Sequence, residues 1–121
     1  MHYDQALGYL KDRELLGIKF GLENINCLAS ALGHPERIYP SILIAGTNGK
    51  GSTAAILESI LHAAGYRTGL FTSPHFRCLE ERILVDGTTI GRTDLADVVS
   101  LVAQVVDVLV RKGELSQELT F

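Results

Sequence analysis

An α/β fold, with parallel strands and helices on both faces, is what this sequence predicts, and three observations predict it. First, the short apolar run Ser41-Ile42-Leu43-Ile44-Ala45 is bounded by Pro40 and Gly46, as a buried parallel strand is. Second, Ile56, Leu57, Ile60, Leu61 and Ala64 follow at helical spacing, with Gly65 where a left-handed helix cap belongs. Third, Arg67 to Thr72 reads as a second strand, which closes a βαβ unit around that helix.

The flanking segments complete the expectation. Residues 1–40 form a helical lead-in of two pieces separated by a turn, the second carrying Leu22, Ile25, Leu28 and Leu32 on one face and ended by Gly33 and Pro35. Asp4, Lys11, Asp12, Arg13 and Glu14 read as a solvated face. Residues 41–74 are the βαβ unit, and residues 75–121 a small hairpin plus a helix. In the hairpin, Arg82 to Ile90, Asp86-Gly87 supplies the positive φ angles of a type I′ turn. Thr93 and Asp94 then open a helix whose stripe is Leu95, Val98, Val99, Val102, Val106 and Leu109, ending near Lys112-Gly113. Its valines favour strand by intrinsic preference, but the spacing favours helix.

Between the first strand and its helix stands Gly46-Thr47-Asn48-Gly49-Lys50-Gly51-Ser52-Thr53. Glycines let successive backbone N–H groups turn inward, and the helix adds its positive N-terminal end, so phosphate oxygens meet donors on several sides. Lys50 adds a compact positive charge, and the hydroxyls of Ser52 and Thr53 can cap the helix or reach a bound Mg²⁺. The pattern is a shifted variant of GxxxxGK[ST], because Ile44 stands where the first glycine belongs and Gly51 follows Lys50. It reads as an ATP site. A glycine-rich turn that binds nothing is the alternative, and a turn alone does not call for a lysine between glycines followed by two hydroxyls.

Thr72-Ser73-Pro74-His75 lies at the carboxyl end of the second expected strand, on the edge where ligands of an open parallel sheet gather. Ser73 can there face bound phosphates, while a strand-ending Ser-Pro turn accounts for the same residues without a ligand. His75 reads more readily as a surface or packed residue than as a base.

Composition sets outer limits. With 121 residues, 46% hydrophobic and 21% charged, the expectation is a soluble globular chain of at most one domain. A net charge of −3 argues against a nucleic-acid surface but says little about small anions, which feel the local field of Lys50, Arg77 and Arg82. Cys27 and Cys78 show no CxxC pairing, which fits two small buried residues in a reducing cytoplasm. No secretory signal opens the chain. The apolar run from Leu101 to Val110 is broken by Gln104 and Asp107 and falls short of the roughly 20 residues of a membrane helix. A cytoplasmic protein with no membrane contact is expected.

Taken together, GTNGKGST, then TSPH, then Glu81-Arg82-Ile83 before a hairpin, all preceded by Lys19-Phe20-Gly21-Leu22-Glu23-Asn24, resemble folylpolyglutamate synthase. That family includes the bifunctional dihydrofolate synthases and sits in the wider Mur ligase group of ATP-dependent amide-forming enzymes. The resemblance spans nearly the whole sequence. Gly51, between Lys50 and Ser52, separates this folate branch from cell-wall ligases, whose loops resemble GTNGKT. About forty residues before the loop also leave little room for the nucleotide-sugar domain of those ligases.

The resemblance implies a partial P-loop, Rossmann-like ATPase domain, of which residues 1–121 are the amino-terminal part, with a carboxy-terminal domain absent. It implies that ATP phosphorylates a folate γ-carboxylate or a pteroate carboxylate, and that the amine of L-glutamate attacks the acyl phosphate. Gly46, Thr47, Asn48, Gly49, Lys50, Gly51, Ser52 and Thr53 would then hold the nucleotide, with Lys50 serving catalysis. Ser73 would ligate Mg²⁺, and Pro74 and His75 would touch folate. The implied partners are small molecules, folate or dihydropteroate and L-glutamate, with no nucleic acid and a monomeric full-length enzyme. The chain stops at Phe121, before a metal-binding glutamate and further residues of the family, so it is expected to be inactive as a ligase alone. A nucleotide-binding module without ligase activity is the rival expectation, and a ligand-free βαβ fragment is a third.

Overall fold

The computed structural model describes residues 1–14, 22–75 and 77–115. Lys19, Phe20 and Gly21 of the family-like stretch, and the terminal Leu119-Thr120-Phe121, lie outside the described residues. Contacts divide the chain into two units, Met1–Ser41 with Leu95–Phe121, and Ile42–Asp94.

The first unit is helical. Helix α1 spans Tyr3–Glu14 and α2 spans Glu23–Ala31. Asp4, Lys11, Asp12 and Glu14 are exposed as expected, whereas Arg13 is half-buried, its guanidinium 4.9 Å from the centre of the Tyr9 ring. The expected apolar face of α2 is only partly a core face. Leu28 is buried and Leu32 packs beside it, but Leu22 precedes the helix and is 68% exposed, and Ile25 is 52% exposed. The helix ends where Gly33 donates to the carbonyl of Ser30 and His34 to that of Ala29, the paired bonds of a Schellman motif.

Helix α4 spans Arg92–Arg111, and its part from Leu95 onward belongs to this unit. Its buried residues are Leu95, Ala96, Val99, Ala103, Val106 and Leu109, at the three-and-four spacing of a helix face. Compared with the expected stripe, the buried arc is shifted toward two alanines and leaves Val98 on its rim, 53% exposed. Val106, Leu109, Leu28 and Leu115 form one core cluster among the described residues, with Cys27, Leu32, Val102, Val105 and Val110 packed around it. Cys27 packs beside these residues but is half-buried rather than buried as expected, and its thiol donates to the Glu114 carbonyl at 3.4 Å.

The second unit holds helix α3, Lys50–Ala63, and three short strands: β1 Gly69–Phe71, β2 Ile83–Val85 and β3 Thr88–Thr89. Among the described residues the sheet is antiparallel throughout, in the order β1-β2-β3. This corrects the expected topology in two ways. Ser41–Ala45 forms no strand, with Ile42 66% and Leu43 94% exposed. The strand expected at Arg67 to Thr72 is β1, but it pairs with β2, Gly69 opposite Val85 and Phe71 opposite Ile83, rather than in parallel with the run before the helix. Apolar runs mark what can become a strand, whereas a strand exists only where a ladder of backbone bonds forms, and β2 supplies that ladder here.

The hairpin is as expected. Asp86 at φ 50° and Gly87 at φ 78° provide the two positive φ angles of a type I′ turn between β2 and β3. Thr68 and Asp86 tie the turn to the start of β1. The Thr68 amide donates to Asp86 Oδ1 at 2.9 Å, the Asp86 amide returns to the Thr68 carbonyl at 2.8 Å, and the Thr68 hydroxyl donates to Glu58 Oε1 at 2.6 Å. Glu58 is on α3, so this network ties the helix to the start of β1. Along α3 the expected stripe is divided: Leu57 and Leu61 are half-buried, but Ile56 is 63% and Ile60 59% exposed, and Ala64 is exposed.

Candidate functional site

The glycine-rich loop is built by the start of α3. Gly49 is the residue that caps the helix, at φ 75°, a conformation glycine adopts without steric cost, and Lys50 is the first helical residue. Ser52 and Thr53 follow within the first turn. Among the described residues no side chain caps the helix, so the capping role open to those hydroxyls is not taken, and they remain exposed with Gly46, Thr47, Asn48, Gly49, Lys50 and Gly51. Lys50 reaches back over the loop, its Nζ donating to the Gly46 carbonyl at 2.6 Å. The arrangement presents an ammonium group and the unpaired N–H groups of a 14-residue helix at one exposed mouth. An anion with several oxygens is the chemistry such a mouth serves.

The second constellation follows β1. Ser73, Pro74 and His75 are exposed, and the Ser73-Pro74 peptide bond is cis. The loop is pinned at three places. At its start the Thr72 amide donates to the Arg82 carbonyl at 2.9 Å. In its middle Arg82 Nε donates to His75 Nδ1 at 2.8 Å. At its end Glu81 Oε1 accepts from the amides of Arg77 at 3.0 Å and Cys78 at 3.2 Å. His75 is thus a surface residue with a partner, accepting at Nδ1. Among the described residues no hydrogen bond or ion pair joins the glycine-rich loop to Ser73, Pro74 or His75; the two constellations share a unit, each held by its own scaffold.

Beneath the second loop lies a carboxylate that the sequence reading passed over. Glu80, in the 3-10 turn Leu79–Arg82, is 4% exposed, and Arg92 Nε donates to its Oε1 at 3.1 Å. The only sequence signal for it is the acidic pair Glu80-Glu81 before an apolar strand. Beside it Cys78 is half-buried rather than buried as expected. Its Sγ lies 3.6 Å from Glu81 Oε1, and loss of solvent, followed by the charge of Glu80, pushes the thiol above its ordinary pKa. A higher pKa leaves less thiolate near neutrality. We therefore expect the pH midpoint of Cys78 alkylation by iodoacetamide to lie above that of a cysteine in an unstructured peptide, and Glu80→Gln to lower it. An unaltered midpoint in the variant would dismiss the electrostatic cause.

No helix among the described residues is long and apolar enough to cross a membrane. No protein-family model matches the chain. Individual proteins do. The chain is 38% identical over all 121 of its residues to a probable bifunctional folylpolyglutamate synthase/dihydropteroate synthase of Haloferax volcanii, of which it covers 14%. It is 44% identical over 89 residues to the dihydrofolate synthase/folylpolyglutamate synthase of Bacillus subtilis, a match covering 74% of the chain and 21% of that protein. Among solved structures, the Mycobacterium tuberculosis folylpolyglutamate synthase complexed with ADP and AMPPCP superposes with a TM-score of 0.81 at 34% identity, covering 93% of the chain and 24% of the other. A folylpolyglutamate synthase complexed with AMPPCP and folate gives 0.85 at 30% identity, covering 93% and 28%. The chain thus spans 14% to 28% of the length of these relatives.

Proposed function

We propose that this chain, which belongs to the folylpolyglutamate and dihydrofolate synthase family, supplies the phosphate-binding part of an ATP-dependent ligase that adds L-glutamate to folate or dihydropteroate. One observation carries the reading: Lys50 opens α3 on a left-handed glycine, with its ammonium across the mouth of the loop. Residues 1–121 correspond, on this reading, to the amino-terminal part of the ATP-binding domain of the longer relatives. In that setting Ser41–Ala45, apolar and exposed here, is the segment to enter a parallel sheet, which would make the loop after it a P-loop.

The reaction transfers the γ-phosphoryl group of ATP to a carboxylate oxygen of the folate, releasing ADP; the glutamate amine then attacks the acyl carbon and phosphate leaves. Two anions must meet, so positive charge and fixed donors are required where phosphate charge develops. Gly46, Thr47, Asn48, Gly49, Gly51, Ser52 and Thr53 serve that need through amides and hydroxyls. Lys50 exchanges its bond to the Gly46 carbonyl for the terminal phosphate. Ser73 offers an exposed hydroxyl, the hard oxygen donor that Mg²⁺ accepts alongside phosphate oxygens and water, and is the residue to hold that ion. When bound, Mg²⁺ supplies charge neutralisation at the phosphates. Pro74 and His75, on the same loop, contact the folate.

The test uses the protein as its gene encodes it. AMPPCP affinity measured with and without folate should rise when folate is present, and ATP, folate and labelled L-glutamate together should give a glutamylated folate. Nucleotide binding indifferent to folate, with no labelled product, would replace the ligase by a nucleotide-holding module. A folded sample that binds no nucleotide would end both.

A further inference from the structure

Glu81-Arg82 is a motif to which neither the loop chemistry nor the family resemblance gives a task, yet these two adjacent residues hydrogen-bond to Thr72, His75, Arg77 and Cys78 among the described residues between β1 and the 3-10 turn. We infer that Glu81 and Arg82 are positioning residues that set the Ser73-Pro74-His75 loop for its substrate; the inference rests on the folate reading above.

The argument is one of bond placement. Residues 72–75, 77 and 78 lie between β1 and the 3-10 turn, and their backbone polar groups need partners outside a ladder. Arg82 serves both the start and the middle of the loop, its carbonyl accepting from the Thr72 amide and its Nε donating to His75 Nδ1. Glu81 serves the end, one carboxylate oxygen taking two consecutive amides, while the Glu81 amide itself donates to the Cys78 carbonyl at 3.2 Å. Being consecutive, the two side chains leave the turn in different directions. The turn in turn leads into β2, which is paired on both sides. The loop is therefore referenced to the sheet rather than left to its own torsions. The bond to Arg82 also fixes the tautomer of His75, whose Nδ1 must be the acceptor and whose Nε2 must carry the proton. His75 then presents an N–H donor outward. For a ligand with ring nitrogens and carboxylates, a donor held in place loses less freedom on binding than one that swings.

The test compares Arg82→Ala, Arg82→Lys, Glu81→Ala and Glu81→Gln in the protein as its gene encodes it, measuring folate affinity in the presence of AMPPCP, AMPPCP affinity alone, and thermal unfolding. Arg82→Ala and Glu81→Ala should weaken folate binding about tenfold, the loss expected for a charge-assisted bond, while AMPPCP affinity measured without Mg²⁺, which does not call on Ser73, stays within about twofold. Glu81→Gln keeps an acceptor oxygen for both amides and should recover most of the affinity. Arg82→Lys keeps a donor without its planar geometry and should recover part. Parallel loss of folate and nucleotide binding, or unchanged folate affinity in folded variants, would overturn the inference. Wild-type protein that binds AMPPCP but no folate would instead remove the folate reading on which it rests, an outcome visible before any variant is made.

Discussion

Lys50→Ala should lower AMPPCP affinity about 100-fold while leaving the melting temperature within a degree or two of the parent. The size follows from the bond that is lost. A hydrogen bond to a charged group is worth about 1.5–3 kcal/mol, and here both ammonium and phosphate are ionised. The small effect on stability follows from exposure: Lys50 is exposed, and its bond to the Gly46 carbonyl is a contact within one loop. Surface changes of this kind usually fall within about 0.5 kcal/mol. Lys50→Arg separates charge from geometry, since a guanidinium keeps the charge but presents a fork that cannot fold onto the same carbonyl in the same way. It should recover only part of the affinity. Isothermal titration of the three proteins with AMPPCP checks the set. Equal affinity of Lys50→Ala and parent would mean that the loop amides alone hold the anion.

The start of α3 was legible because its signals are local. A glycine that must adopt φ 75° and a lysine beside it stand in the sequence as letters, and the helix that follows declares itself by spacing. The Asp86-Gly87 turn and the end of α4 near Lys112-Gly113 were legible for the same reason. Strand pairing was not. Gly69–Phe71 was found as a strand, yet nothing in three residues says whether the partner lies before α3 or after the 3-10 turn, and ladders this short are chosen by what the chain brings alongside. The exposure of Ile42, Leu43, Ile56 and Ile60 was equally hidden, because periodicity reports which residues are apolar and not whether anything covers them. Glu80 and the two adjacent residues were missed as a scaffold for a different reason. Their partners, Arg92, Arg77, Cys78 and His75, lie at separations from three to twelve residues that match no repeating pattern, so only the folded loop brings them together.

Arg92→Ala should destabilise the protein more than Glu80→Gln, although Arg92 is the more exposed member of the pair. The side chain of Glu80 is 5% exposed and that of Arg92 70%. Removing the arginine takes away a guanidinium that lies 3.1 Å from a carboxylate already withdrawn from water, and weakening the pairing of a buried charge is expensive, up to about 3–5 kcal/mol for a fully buried pair. Because the arginine head is largely in solvent, part of that interaction is screened, so about 2 kcal/mol is expected here. Glu80→Gln removes the buried charge itself and keeps both the side chain's volume and an oxygen acceptor. The arginine freed by that change is already solvated, and the expected loss is about 1 kcal/mol or less. The double variant should then be less destabilised than Arg92→Ala alone and close to Glu80→Gln, since the buried charge that made the loss of the arginine costly is gone; that departure from additivity is the coupling a double-mutant cycle reads. Urea unfolding of the three variants gives the comparison, through shifts in midpoint at constant slope. Equal losses for the two single variants would show that the pair acts through packing. A larger loss for Glu80→Gln would mean that the carboxylate itself, through its charge on the groups around the 3-10 turn, stabilises the loop more than it costs to bury.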